Sequence, residues 1–249
     1  MTVANQSTAH IGVLAHSVPG AAQCFRAITD YGALELGEHR HPDVTLDCIA
    51  MGHSMPAWEA DDHDTIRTVL AVSIARLRVA GADFFVCPDN TAFLALEGPG
   101  PELALPGLHI TEVVAQQAGS AGYRTVGLLG TRWTMEGPIY PRVLGTHGIG
   151  TRIPSEADRD WVQRVTFAEL VNGVFTSSAR ERFVEIIGKL ADDGSDAVAL
   201  VCTEFPLLIP PEVSPLPTLD STDLLAAAAV QVAIGTHERP TWRGGPPTR

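Results

Sequence analysis

The chain is short of several things, and each shortage removes a class of protein. Basic residues are few: 17 Lys and Arg stand against 29 Asp and Glu, leaving a formal charge of -12 with no long basic run. Sequence-independent grip on a phosphate backbone needs clustered cations, so nucleic acid is not an expected partner. Long apolar runs are missing too. The longest, Leu224 to Ile234, is broken by Gln231 and falls well short of the ~20 residues that cross a bilayer, so no membrane partner is expected. Cysteine is sparse: Cys24, Cys48, Cys87 and Cys202 are widely spaced, with no C-x-x-C pair. That argues against a zinc knot or a disulfide framework and fits reduced thiols in a cytosol. Met1 to His10 shows no basic stretch leading into an apolar one, so no secretory signal is expected. What is present is ordinary for a globular chain, with 45% hydrophobic and 18% charged residues. A cytoplasmic enzyme or binding protein is the starting expectation.

The informative feature is an internal repeat. Gly81-Ala82-Asp83-Phe84-Phe85-Val86 resembles Gly194-Ser195-Asp196-Ala197-Val198-Ala199. Each follows an amphipathic helix, one carrying Ile66, Val69, Leu70, Ile74 and Leu77, the other Phe183, Ile186, Ile187 and Leu190. Both spacings gather the apolar groups on one helical face. Gly81 and Gly194 suit the left-handed position that closes a helix. The short apolar runs after them suit strands buried on both faces of a parallel sheet. A second pair, His10 to Ala15 and Thr125 to Gly130, recurs at nearly the same separation: Gly12 to Gly81 is 69 residues and Gly127 to Gly194 is 67.

This predicts an α/β protein of two similar, doubly wound parallel-sheet halves. Residues 8–107 with 219–236 form the first, residues 108–218 the second, and 237–249, rich in Pro, Gly and Arg, a mobile tail. A pseudo-twofold between the halves would bring their strand ends to opposite walls of one cleft. Eight residues on from Gly81 stands Asp89, and eight on from Gly194 stands Cys202. The repeat therefore nominates these two as equivalents across that cleft. Unpaired backbone N–H groups at such strand-to-helix turns favour an anion, and Asn90, Thr91 and Thr203 would add side-chain donors for a carboxylate substrate. The same field would favour a Cys202 thiolate. A base on one face of a carbon and an acid on the other is what inversion beside a carboxylate requires. Asp89 could serve as base only if desolvation raised its pKa.

Cys87-Pro88-Asp89-Asn90-Thr91-Ala92, Leu128 to Thr131 with Met135 to Tyr140, and Cys202-Thr203-Glu204-Phe205-Pro206-Leu207-Leu208-Ile209 together resemble the aspartate/glutamate racemase family. The likeness runs from about Ile11 to Ile234 and implies two Rossmann-like halves with the site between them. It also implies no pyridoxal phosphate, metal or nucleotide cofactor, and a homodimer. The family's catalytic pair is two cysteines, and its first falls on Asp89, not on Cys87. Histidines common in relatives are replaced by Phe93 and Leu225, which implies a less polar substrate pocket.

The expected function is racemisation or epimerisation of an amino acid by Asp89 and Cys202. Asn90, Thr91, Thr131, Thr203 and Ser17 would bind substrate, and Glu204 would orient the Cys202 turn. Decarboxylation or cis–trans isomerisation of a small carboxylic acid through Cys202, or carboxylate binding without catalysis, are the alternatives. Each candidate has a plainer use. Asp89 could close an Asx turn; Asn90, Thr91, Thr131 and Ser17 could cap helices or turns. Asp61-Asp62-His63-Asp64 reads as a capped, solvated helix start rather than a metal site, and His39-Arg40-His41 as a surface loop.

Overall fold

A computed structural model describes residues 8–247. The chain is α/β, with two parallel sheets, each flanked by helices, in two compact units. One unit ends at His109 and resumes at Leu225; the other is Ile110–Leu224. Among the described residues no helix is long and apolar enough to cross a membrane.

The first unit runs β1 (Ile11–Ala15), α1 (Val18–Leu36), β2 (Val44–Cys48), α2 (Met55–Glu59), α3 (His63–Val79), β3 (Phe84–Val86) and α4 (Phe93–Leu96). Its sheet order is β2-β1-β3. Phe85 extends the sheet by one further parallel bridge to Gly107. The second unit runs α5 (Ile110–Ser120), β4 (Thr125–Gly130), α6 (Arg132–Glu136), α7 (Ile139–Thr146), β5 (Gly150–Arg152), α8 (Glu156–Ala168), α9 (Ser177–Asp192), β6 (Ala197–Val201), α10 (Phe205–Leu208) and β7 (Thr218–Asp220). Its order, β5-β4-β6-β7, repeats the three strands of the first sheet and adds β7 on the side where the first has the Phe85–Gly107 bridge. The final helix, α11 (Ser221–Ala233), follows β7 directly.

The register repeats as well. Gly12 pairs with Phe85, and Gly127 with Val198. These glycines recur for a steric reason. A Cβ on Gly12 would stand 3.1 Å from both Leu77 Cδ1 and Ala82 Cβ; one on Gly127 would stand 3.0 Å from Leu190 Cδ1 and 3.3 Å from Ser195 Oγ. α3 over Gly12 and α9 over Gly127 thus pack so closely that a Cβ would force a neighbour to shift. Gly81 and Gly194 turn the chain at φ +94° and +86°, a region open to glycine at little cost. Two residues on, Asp83 accepts the His10 amide and Asp196 accepts the Arg124 and Thr125 amides, tying each returning strand to its neighbour.

The helices bury the expected stripes: Ile66, Leu70, Ile74 and Leu77 on α3, and Phe183, Ile186, Ile187 and Leu190 on α9. Asp62 caps α3 through the Thr65 amide, as its sequence context suggests. The C-terminal stretch differs from expectation. Residues 242–245 are held, not loose: the Leu103 and Gly107 amides donate to the Arg243 and Trp242 carbonyls, and Gly245 N–H donates to Leu96. The Trp242 ring stacks on Phe93. A Pro- and Gly-rich composition cannot register these partners, because backbone groups of Leu96, Leu103 and Gly107 and the Phe93 ring supply them.

Candidate active site

In the first unit the ends of β1 and β3 are neighbours, so the residues just beyond them meet. His16 follows β1 and Asp89 follows β3 by three residues. His16 Nδ1 lies 2.6 Å from Asp89 Oδ2. Asp89 Oδ1 accepts the amides of Thr91 and Ala92 at 3.0 and 3.2 Å. The carboxylate therefore closes the turn that leads to α4 and also binds a histidine from the neighbouring strand end. Burial raises its pKa, but the His16 charge, the His16 hydrogen bond and the two amides outweigh burial and hold it below the usual carboxylate value. The desolvated, strengthened base that sequence reasoning required is thus corrected: donors converge on Asp89 and keep it an anion.

His16 responds in the opposite sense. Burial opposes its charged form, yet the Asp89 charge and hydrogen bond lift its pKa above the ordinary value. Its other nitrogen, Nε2, accepts the Trp58 indole N–H at 3.1 Å, which favours the neutral ring. Cys87 is buried, and burial, then the Asp89 charge, pushes its thiol well up. It remains an inert thiol beside the cluster. Asn90 is buried; Thr91 and Ser17 are half-buried, and Ser17 starts α1 without a side-chain cap.

In the second unit Cys202 follows β6, in the place Asp89 holds after β3. Its Sγ lies 3.1 Å from Glu204 Oε2, and the Thr203 hydroxyl donates to the same oxygen at 2.8 Å. Thr203 and Glu204 are buried and Cys202 is half-buried. One carboxylate oxygen thus accepts both hydrogen bonds and ties together the turn before α10. Thr131 follows β4 and starts α6, its hydroxyl 3.1 Å from that of Thr134. The structure groups Asp89, Asn90, Thr91 and Ser17 at one sheet's carboxyl edge, and Cys202, Thr203, Glu204 and Thr131 at the other's. His16 and Trp58 are additions. His16 holds the position of Thr131 in the repeat, a signal the sequence did contain; Trp58, in the β2–α3 connection, has no counterpart in the repeat. Phe93 and Leu225 are buried.

A family model described as Asp/Glu/Hydantoin racemase matches residues 21–229. The glutamate racemase of Granulibacter bethesdensis is 30% identical over 204 residues, 78% of this chain and 71% of that protein. The broad specificity amino-acid racemase RacX of Bacillus subtilis is 26% identical over 176 residues, 70% and 74% of the two chains. Among solved structures, a Yersinia pestis protein provisionally assigned as an Asp/Glu racemase superposes with a TM-score of 0.81 at 28% identity, covering 91% of this chain and 99% of its own.

Proposed function

Because the chain belongs to the Asp/Glu/Hydantoin racemase family, and is on that ground an isomerase, we propose that it inverts the carbon next to the carboxylate of an amino acid without a cofactor, using Asp89 and Cys202. One group removes the α-hydrogen as a proton from one face, and the other returns a proton to the opposite face. The turn amides, with Asn90, Thr91, Thr131, Thr203 and Ser17, would hold the substrate carboxylate as negative charge spreads onto it. Glu204 would orient the Cys202 turn, a role supported by its Oε2 lying 3.1 Å from Cys202 Sγ. The reading includes a cytoplasmic homodimer acting on a small carboxylate, with the dimer checked by sedimentation.

The observation that carries the reading is the Cys202–Glu204 contact at 3.1 Å, a thiol beside a proton acceptor, on a turn equivalent by repeat to that of Asp89. The test is a panel of amino acids in heavy water followed by proton NMR. Loss of the α-hydrogen signal is expected for at least one amino acid, with exchange falling by ~10³-fold or more in Cys202→Ala, the scale of losing an acid–base group. Exchange by Cys202→Ala as fast as the unmodified chain would end the mechanism.

A second reading draws on one observation. Asp89 is held as a carboxylate by three hydrogen bonds, which leaves it a weak base. A reaction needing one proton donor, such as decarboxylation of a malonate with Cys202 protonating the resulting carbanion, fits that imbalance. Carbon dioxide release from a malonate in the same panel, without exchange of any amino acid, selects it.

A further inference from the structure

We propose that Trp58 is a positioning residue: its indole N–H fixes His16 as the Nδ1–H tautomer, so that His16 donates to Asp89 and the first-unit site keeps a carboxylate of set orientation. This deepens the reading above and rests on it for its catalytic meaning, though the tautomer is measurable without any substrate.

Donors and acceptors fix the tautomer. An indole nitrogen can only donate. With Trp58 Nε1 at 3.1 Å from His16 Nε2, that nitrogen must offer a lone pair, so the single proton of a neutral imidazole sits on Nδ1. There it points at Asp89 Oδ2, 2.6 Å away. Ser54 Oγ also lies 3.5 Å from Nε2, but its hydroxyl donates to the Met51 carbonyl at 3.0 Å, leaving no proton for His16. The Thr91 and Ala92 amides donate to the other Asp89 oxygen. Every link runs in one direction, from Trp58 through His16 to the carboxylate. Protonating His16 would set an N–H on Nε2 head-on against the indole N–H. The indole edge therefore opposes the imidazolium that the Asp89 charge favours.

Among the described residues, His63 stands edge-on to the Trp58 ring at 5.8 Å between centroids, and the buried Cys87 thiol feels the Asp89 charge and Cys24. The Trp58–His16 rings are themselves edge-on at 5.7 Å, so a phenylalanine at 58 keeps an aromatic edge while deleting the donor.

The test is ¹⁵N–¹H correlation spectroscopy of the histidine rings in the full chain, with and without Trp58→Phe, across pH 5 to 9. In the unmodified protein His16 is expected to show a protonated Nδ1 and a bare Nε2 at pH values above its raised midpoint. Trp58→Phe should raise the His16 midpoint by about one pH unit, the scale of one lost hydrogen bond, while His147 in the other unit does not move. Once a substrate is known, the pH profile of exchange should shift by a similar amount. An Nε2–H tautomer in the unmodified chain overturns the proposal whether or not the variant folds, and so does an unmoved midpoint in a folded Trp58→Phe. Failure of the racemase reading would instead show as absent exchange with the His16 spectrum as expected.

Discussion

Asp220 ends β7 at a place where the fold holds a charge at a cost, and replacing it with asparagine should stabilise the protein at neutral pH. Burial raises its pKa from 3.8 to about 6; hydrogen bonds from the Asp223 and Thr222 amides pull the other way, and the Asp223 charge adds a little to the rise. At ~1.36 kcal/mol per pH unit, that difference is about 3 kcal/mol. Asp220 is half-buried, so solvent screening reduces the expected effect to about 1–2 kcal/mol. The sign follows from proton uptake. Above about pH 6 the folded chain carries an ion that water solvates better in the unfolded chain, so the full penalty is present at pH 7 and above. As pH falls towards 3.8 the folded chain takes up the proton first, and the penalty fades. Asparagine keeps a carbonyl oxygen for the amides of Thr222 and Asp223, which Asp220 Oδ1 accepts at 2.9 and 3.2 Å. Calorimetry of Asp220→Asn should show a transition about 2–8 °C higher at pH 7.5, converging with the unmodified protein near pH 4. A variant less stable at pH 7.5, or one whose difference does not change with pH, would refute the reasoning.

Two other perturbations address the repeat and the thiols. Gly127→Ala places a methyl 3.0 Å from Leu190 Cδ1 and should cost about 1–3 kcal/mol by overpacking, read as a lower urea midpoint; an unchanged midpoint would mean that α9 yields freely. Brief alkylation followed by peptide mass spectrometry should label exposed Cys48 and half-buried Cys202 before Cys24 and Cys87, which are buried. Early labelling of Cys87 would contradict the inert, protonated thiol described for it.

The two-unit α/β architecture was legible because it rests on local rules written twice. Gly12 and Gly127 recur where a helix side chain comes within about 3 Å of where a Cβ would stand, and Gly81 and Gly194 where each turn needs a positive φ. Such constraints act within a few tens of residues and leave a periodic trace. From the same trace came the equivalence of Asp89 and Cys202, and with it the outline of the candidate site. The chemistry of Asp89 was not legible. Its partner His16 is 73 residues distant, and Trp58 lies 42 residues beyond His16. Only the parallel pairing of β1 with β3, and the path of the chain through α2, bring the three together. Burial alone would have made Asp89 a stronger base, as the sequence argument required; converging donors reverse the direction. The C-terminal stretch shows the same division, since its composition suggests looseness while backbone partners at 96–107 and the Phe93 ring hold it. Residue types and spacing determined the repeat and the strands, and nominated Cys202 as the thiol. Tertiary structure decided the direction in which the Asp89 pKa moves, because that depends on which distant side chains arrive to donate to it.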